Sequence, residues 1–484
     1  MAKEINILSG LIQTIRESAF YNVNRLEELL FEDYPYPTSH EFIKALIEIH
    51  KGILQKIELT EKDIILDEKE FEDQAVVIQR YGQTLNSLHS LLQILEMGRR
   101  EYVPQGIVVL IENIMKYTTS SKAKFLLLPN YEYNYAYVEL IDPLKTALRD
   151  VLDNVEKSLA FADKFAIFWF PLAHKDNAIL NALLAHEVGH FMSEEKQLVE
   201  KLISKVTIDQ SKIQEIAQEL LQTKLSAEKK EIKIDDFFGL ETAKAQVKRE
   251  VVVKVSDRLR ELIADSIAFH LFGPAYLIAL SNFLVTLADV DVEPKGYPSS
   301  RMRISFLIDE FEKAKYAEVL KRQEGAHERI RQKAAGRFGG IIENWREIVK
   351  KEATPSGDKI SVLVHDAIHS VKDDLQKQVH DVVGRLGYTA ERFELEVFKL
   401  IETIDSLVPP AEMDLEQPAD PISILNAGML YELALIEDMH ELLNDQKMEE
   451  RLLTRHKLHK LIMKAIESSQ IQTIMKEMKE ELPE

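Results

Sequence analysis

The pentapeptide His186-Glu187-Val188-Gly189-His190 sets two imidazoles four positions apart, with a carboxylate directly after the first. On an α-helix, positions four apart lie about 40° apart around the axis, so both rings leave one face and can reach a single cation at roughly 2.0 to 2.1 Å. Glu187, offset by about 100°, falls beside such a cation, where a carboxylate can hold a water and take its proton. The pattern H-E-x-x-H is that of metal-assisted hydrolysis, although chance alone would produce it in roughly one chain in thirty of this composition. Gly189 lies inside the same pattern, where glycine costs about 1 kcal/mol against alanine, and that cost suggests close packing by a neighbour.

Two histidines do not complete a zinc site, and the chain has no cysteine to add. The best candidate for the third ligand is Glu261 in "ELIAD". Asp265, four residues on and on the same face, is placed to accept a hydrogen bond from the free nitrogen of a ligating histidine and fix its tautomer. His270 would face away from Glu261 on the same helix. Charge building on a carbonyl oxygen in a transition state calls for a further donor, and Tyr297, Arg301 and Arg303 are candidates for it. "HDAIH" (His365 to His369) repeats the four-residue spacing without a neighbouring glutamate, and reads as an amphipathic helix surface.

These residues need rigid elements to hold them. "AILNALLAHEVGHFM" reads as a buried helix with Asp176 or Asn177 as its cap, and it directly follows "KFAIFWF" (Lys164 to Phe170), a run of strand length. A second extended stretch, "KFLLLPNYEYNYAYVELI", begins at Lys124 and shows a two-residue period. Between the two lies a helix, "DPLKTALRDVLDNVEKSLAF", with Asp142 as N-cap and Pro143 in its first turn. One of the strands, Tyr133 to Leu140 or Phe165 to Phe170, could pair with an extended substrate backbone; both could equally be interior sheet. Up to about Tyr117 the periodicity is helical throughout, residues 193 to 255 read as a charged helical excursion, and a long helix is expected from near Ser299. The last 150 or so residues are mostly helical, interrupted at 407–423 by a Pro-rich acidic connector. The domain reading is a helical region over 1–120, a central core over 121–310 with an insertion at about 193–255, and a second helical region over 311–484.

The composition, 45% hydrophobic and 29% charged, belongs to a folded protein. A net charge of −20 without a basic stripe argues against nucleic acid as a partner. Ser266 to Ala288 has no Asp, Glu, Lys or Arg, but Gly273-Pro274 breaks it, so two buried helices meeting at a turn are expected and no membrane span. The amino-terminal residues carry charges at helical spacing, unlike a secretory signal. Together with the absence of cysteine, this gives the expectation of a cytoplasmic protein.

"HEVGH" with a downstream helix bearing "ELIAD" resembles the gluzincin metallopeptidases, and "YPSSRMRI" (Tyr297 to Ile304) is distantly similar to the HtpX and CaaX-protease branch. That branch has a histidine where this chain has Tyr297. The resemblance implies an α+β, predominantly helical fold with a zincin-like metallopeptidase core and a small sheet, flanked by helical regions. It implies Zn2+ held by His186, His190 and Glu261, with Asp265 behind them and Glu187 and Tyr297 in catalysis. A protein or peptide substrate is then expected, and a regulatory protein partner is possible on this reading. The alternative is a helical interaction protein whose metal site is structural.

Overall fold

The computed structural model describes residues 2–62, 68–118, 123–153, 155–228, 236–287, 296–322, 328–350, 359–414 and 417–481. The chain divides into two compact units, Met1–Asp176 and Asn177–Glu484. The first begins with the helices Ala2–Leu29 (α1), Thr38–Lys62 (α2), Glu68–Met97 (α3) and Gln105–Thr118 (α4). Apolar residues three and four apart drive their packing: Ile12, Ile15, Ala19, Val23 and Leu26 of α1 are buried, as are Phe42, Leu46, Ile49, Ile53 and Ile57 of α2.

The strands Ala123–Asn130 (β1), Ala136–Glu139 (β2) and Lys164–Pro171 (β3) form a small mixed sheet in the order β1-β3-β2. β3 runs parallel to β1, with Leu127 opposite Phe168, and antiparallel to β2, with Tyr137 opposite Phe168. The extended run from Lys124 is therefore two strands. In β1 the expected alternation gives way to continuous burial of Phe125, Leu126, Leu127 and Leu128, as in a strand covered on both faces. β3 is central, so Phe165 to Phe170 has no free edge for a substrate backbone, whereas β2 is an edge strand.

The helix between them is shorter than the sequence suggests. It splits into Ile141–Leu148 (α5) and Val155–Ser158 (α6), and the cap is Glu139 rather than Asp142: the Glu139 carboxylate accepts from the backbone N–H groups of Ile141 (2.9 Å) and Asp142 (3.2 Å). A longer side chain at the end of β2 thus reaches the free N–H groups from outside the helix.

The second unit opens with Asn177, whose Oδ1 accepts from Leu180 N–H at 2.9 Å and starts a short 3₁₀ turn. The helices Leu184–Lys196 (α7), Leu198–Ile203 (α8), Gln210–Glu228 (α9) and Asp236–Phe272 (α10) follow. α7 stops where Gln197 takes a left-handed conformation (φ 52°). α10 is polar in its first half, then buried over nearly every residue from Leu259 to Phe269, the signature of a helix entering a core. Gly273, with φ 64°, turns the chain into Pro274–Leu287 (α11), and both flanking helices are buried there, as Gly273-Pro274 led us to expect. Ala288 lies outside the described residues, and no helix among the described residues is long and apolar enough to cross a membrane.

Ser299 caps Ser300–Lys313 (α12) by accepting from Met302 N–H at 3.3 Å. The long helix expected here ends early, because Lys315 adopts φ 64° and separates Tyr316–Lys321 (α13). Glu328–Lys350 (α14), Lys359–His369 (α15) and Lys372–Val383 (α16) follow, and the remainder is again mainly helical. The connector at 407–423 contains a small hairpin, Glu412–Asp414 with Gln417–Pro418, before Asp420 caps the helix Pro421–Ala434.

Candidate metal centre

α7 and α10 cross at Gly189. A β-carbon added there would lie 2.6 Å from the carbonyl oxygen of Ala264 and 2.8 Å from its α-carbon. Only glycine allows this approach, since the obstruction is backbone and cannot rotate away. The crossing brings together side chains 75 residues apart in sequence: His186 Nε2 lies 3.1 Å from Glu261 Oε2, and His190 Nε2 lies 3.5 Å from Glu261 Oε1. The two imidazoles are edge to face with centroids 4.5 Å apart. One ligand atom from each of His186, His190 and Glu261 falls within 4.8 Å of the others, a grouping that can hold a metal ion.

The other ring nitrogen of His186 is anchored. Nδ1 lies 2.8 Å from Asp265 Oδ1, the contact expected from the spacing of "ELIAD". Asp265 is itself held by three donors: Tyr276 Oη on α11 donates to Oδ1 at 2.5 Å, Arg303 Nη2 on α12 donates to Oδ1 at 2.7 Å, and Arg303 Nε donates to Oδ2 at 2.7 Å. Tyr276 was not legible beforehand, because no spacing rule links α11 to α10 across a turn. Arg303 corrects an expectation: its guanidinium is buried and forked onto Asp265, so it braces a carboxylate instead of facing an oxyanion. Arg301, two residues earlier and so about 200° round the helix, faces another side.

Electrostatics separates the roles. Burial alone would lower the His186 imidazole, but Asp265 and Glu261 outweigh it and hold it up at about 10. Burial, then the positive charge of the neighbouring His186, lowers His190 to about 3. Burial raises Asp265, yet Arg303 and His186 overcome it and keep the carboxylate well below its usual range. Burial would likewise raise Glu261, and the hydrogen bond and charge of His186 bring it down. Glu187, fully enclosed beside them, is pushed by burial up to about 7.

Tyr297 is half exposed, and its hydroxyl is raised by burial and then by the charges of Glu261 and Glu187, which places it within electrostatic reach of both. His270 does not join the group; its ring is 6.3 Å from that of His380. His365 and His369 approach each other at Nε2 (3.1 Å) on the surface of α15, and among the described residues no third His, Asp or Glu completes a metal-holding group with them.

No family model, curated protein or solved structure matches this chain.

Proposed function

We propose that the protein is a zinc-dependent peptidase of gluzincin type with a zincin-like core, acting on a protein or peptide substrate. The observation that supports this best is the convergence of His186, His190 and Glu261 from two helices, with the Glu187 carboxylate enclosed next to them. The donor set fits zinc: two imidazoles and one carboxylate suit this ion, and three protein ligands leave a position open for chemistry. The Glu261 carboxylate brings negative charge to the Nε2 atoms of both histidines, as a cation held between them requires.

His186, His190 and Glu261 would hold the ion, and Asp265 would fix the His186 tautomer, itself kept in place by Tyr276 and Arg303. A bound zinc supplies Lewis acidity, polarising a peptide carbonyl and making water more acidic. Glu187 takes a proton from the attacking water and passes it to the leaving amine. A carboxylate raised to about 7 is matched to both tasks, since it exchanges protons readily near neutral pH. Tyr297 is the candidate donor to the carbonyl oxygen as charge develops there.

Metal analysis by mass spectrometry tests the reading. About one zinc per chain is expected in the wild type, lost in His186→Ala, weakened in Glu261→Ala and kept in Glu187→Gln, with peptide hydrolysis abolished in Glu187→Gln. A well-folded wild type that takes up no zinc overturns the metal site. Zinc retained with no turnover of any peptide leaves the structural-site alternative.

A further inference from the structure

The second histidine pair lies outside the chemistry proposed above and shares no residue with it. His365 and His369 sit one turn apart on α15; Leu363, Val364, Ala367 and Ile368 bury the other face of that helix and leave both imidazoles exposed. Their Nε2 atoms nonetheless converge to 3.1 Å. At this distance the two nitrogens cannot both carry a hydrogen aimed into the gap, so at least one presents its lone pair there. A neutral hydrogen bond between exposed side chains nets only about 0.5–1.5 kcal/mol, against the rotamer freedom that both rings lose. A cation held by two lone pairs is a stronger reason for the rings to meet.

The bite of the pair suits such an ion. With metal–nitrogen bonds of about 2.0–2.1 Å, nitrogens 3.1 Å apart subtend roughly 95–102° at the metal. This lies between the right angle of a tetragonal site and the tetrahedral angle, so neither ring has to move to chelate. Nearby charges do not oppose a cation. Asp366 Oδ1 lies 3.9 Å from His365 Nδ1, the ring's other nitrogen, and pairs with Lys212 at 2.8 Å. The His369 ring packs on Phe306 with centroids 5.8 Å apart, which limits its rotation; Lys372 over the same Phe306 ring is paired with Asp309. The two lysines are thus neutralised by two aspartates, within a chain whose net charge of −20 draws cations to its surface.

We propose that His365 and His369 form a second, exchangeable site for a divalent transition ion of the class of Cu2+, Ni2+ and Zn2+, chelated through the two Nε2 atoms. Among the described residues no third His, Asp or Glu completes the group, so water fills the remaining positions and the ion exchanges with solvent. Mg2+ and Ca2+, which take oxygen ligands, are poor matches for two imidazoles. A bound ion ties successive turns of α15 together and stabilises the folded chain by mass action. The inference is independent of the peptidase reading.

Isothermal titration calorimetry with NiCl2 tests this on the full-length protein, near neutral pH and in a large excess of Mg2+. The wild type is first loaded with zinc and freed of excess ion by gel filtration. His186→Ala is titrated beside it, so that the outcome does not depend on what the central group holds. Both should take up one Ni2+ that His365→Gln or His369→Gln removes. Either substitution should weaken this binding by at least ~100-fold and the double variant little further, because a chelate fails as a unit when one arm is lost. Cu2+ should bind more tightly than Ni2+, and its electron paramagnetic resonance should show coupling to two imidazole nitrogens that neither single variant retains.

No Ni2+ uptake sensitive to these substitutions reduces the pair to a hydrogen bond and overturns the proposal. Binding that each single variant merely halves in stoichiometry also overturns it, as the mark of two independent histidines. Binding that persists unchanged in the double variant places the ion elsewhere, with the same consequence. A wild type that takes up no zinc counts against the peptidase alone, since the His186→Ala titration still reads the second site.

Discussion

Asp265 is the residue on which most of the site's interactions meet, and substitutions around it separate charge from hydrogen bonding. Asp265→Asn keeps the shape but removes the anion beneath His186, and it leaves the buried Arg303 without its counter-charge. Breaking a buried pair in this way costs about 3–5 kcal/mol, and losing the partner of a ligating histidine typically lowers metal affinity by about 10- to 100-fold. Tyr276→Phe removes one donor of three and should cost only about 1 kcal/mol with metal affinity little changed. Thermal unfolding and competition with a zinc chelator check both; equal effects in the two variants would mean that Asp265 acts through packing alone. At this scale the sequence was most informative where candidate ligands share a helix face. The spacings in "HEVGH" and "ELIAD" put His186 and His190 on one helix face and Glu261 and Asp265 on another, because helix geometry fixes angles between near neighbours, and His186, His190 and Glu261 do come together as a group that could hold a metal. Tyr276 and the true partner of Arg303 depend on how three helices pack, and no local pattern encodes that.

Between elements, the contact that brings the two motifs together is the crossing of α7 and α10 at Gly189. Helix propensity alone predicts that Gly189→Ala stabilises α7 by about 1 kcal/mol. Packing predicts the opposite, because the new methyl would meet the Ala264 carbonyl at 2.6 Å and force the helices apart. Overpacking of this kind typically costs about 1–3 kcal/mol, so Gly189→Ala should unfold at lower denaturant concentration and bind zinc weakly. Separating the helices also draws His186 and His190 away from Glu261. A variant that is more stable and still loads zinc would show that the crossing is looser than described. The glycine's helix cost had suggested a close neighbour, but which neighbour was not readable. Element boundaries were read less well than element types: Lys315 breaks the helix expected beyond Lys313, and Glu139 takes over the cap assigned to Asp142, in both cases through backbone conformation or side-chain reach that composition does not specify.

Across the whole molecule the dominant electrostatic fact is the net charge of −20, which disfavours the compact state through self-repulsion and should make stability rise with salt. One buried group adds a pH dependence that salt will not remove. Glu310 on α12 is 3% exposed and accepts a hydrogen bond from Ser266 Oγ, while its other oxygen has no partner among the described residues. Burial raises its carboxyl from the ordinary 4.5 to about 8, so the folded protein holds a proton at neutral pH that the unfolded chain has released. Because the folded state binds more protons between these values, its stability is full below 4.5 and declines as pH rises through about 8. Glu310→Gln mimics the protonated carboxyl and cannot ionise. It should match the wild type near pH 5 and be more stable at pH 9, by at least ~1–3 kcal/mol, the cost of an unsatisfied buried group. Urea unfolding at both pH values in 0.5 M salt, where a Debye length of roughly 4 Å screens the surface charges, isolates this term from the general repulsion. A Glu310→Gln protein that tracks the wild type at both pH values would mean that the Glu310 carboxylate finds water or a counter-charge, and that alkaline destabilisation of this acidic chain arises at its surface.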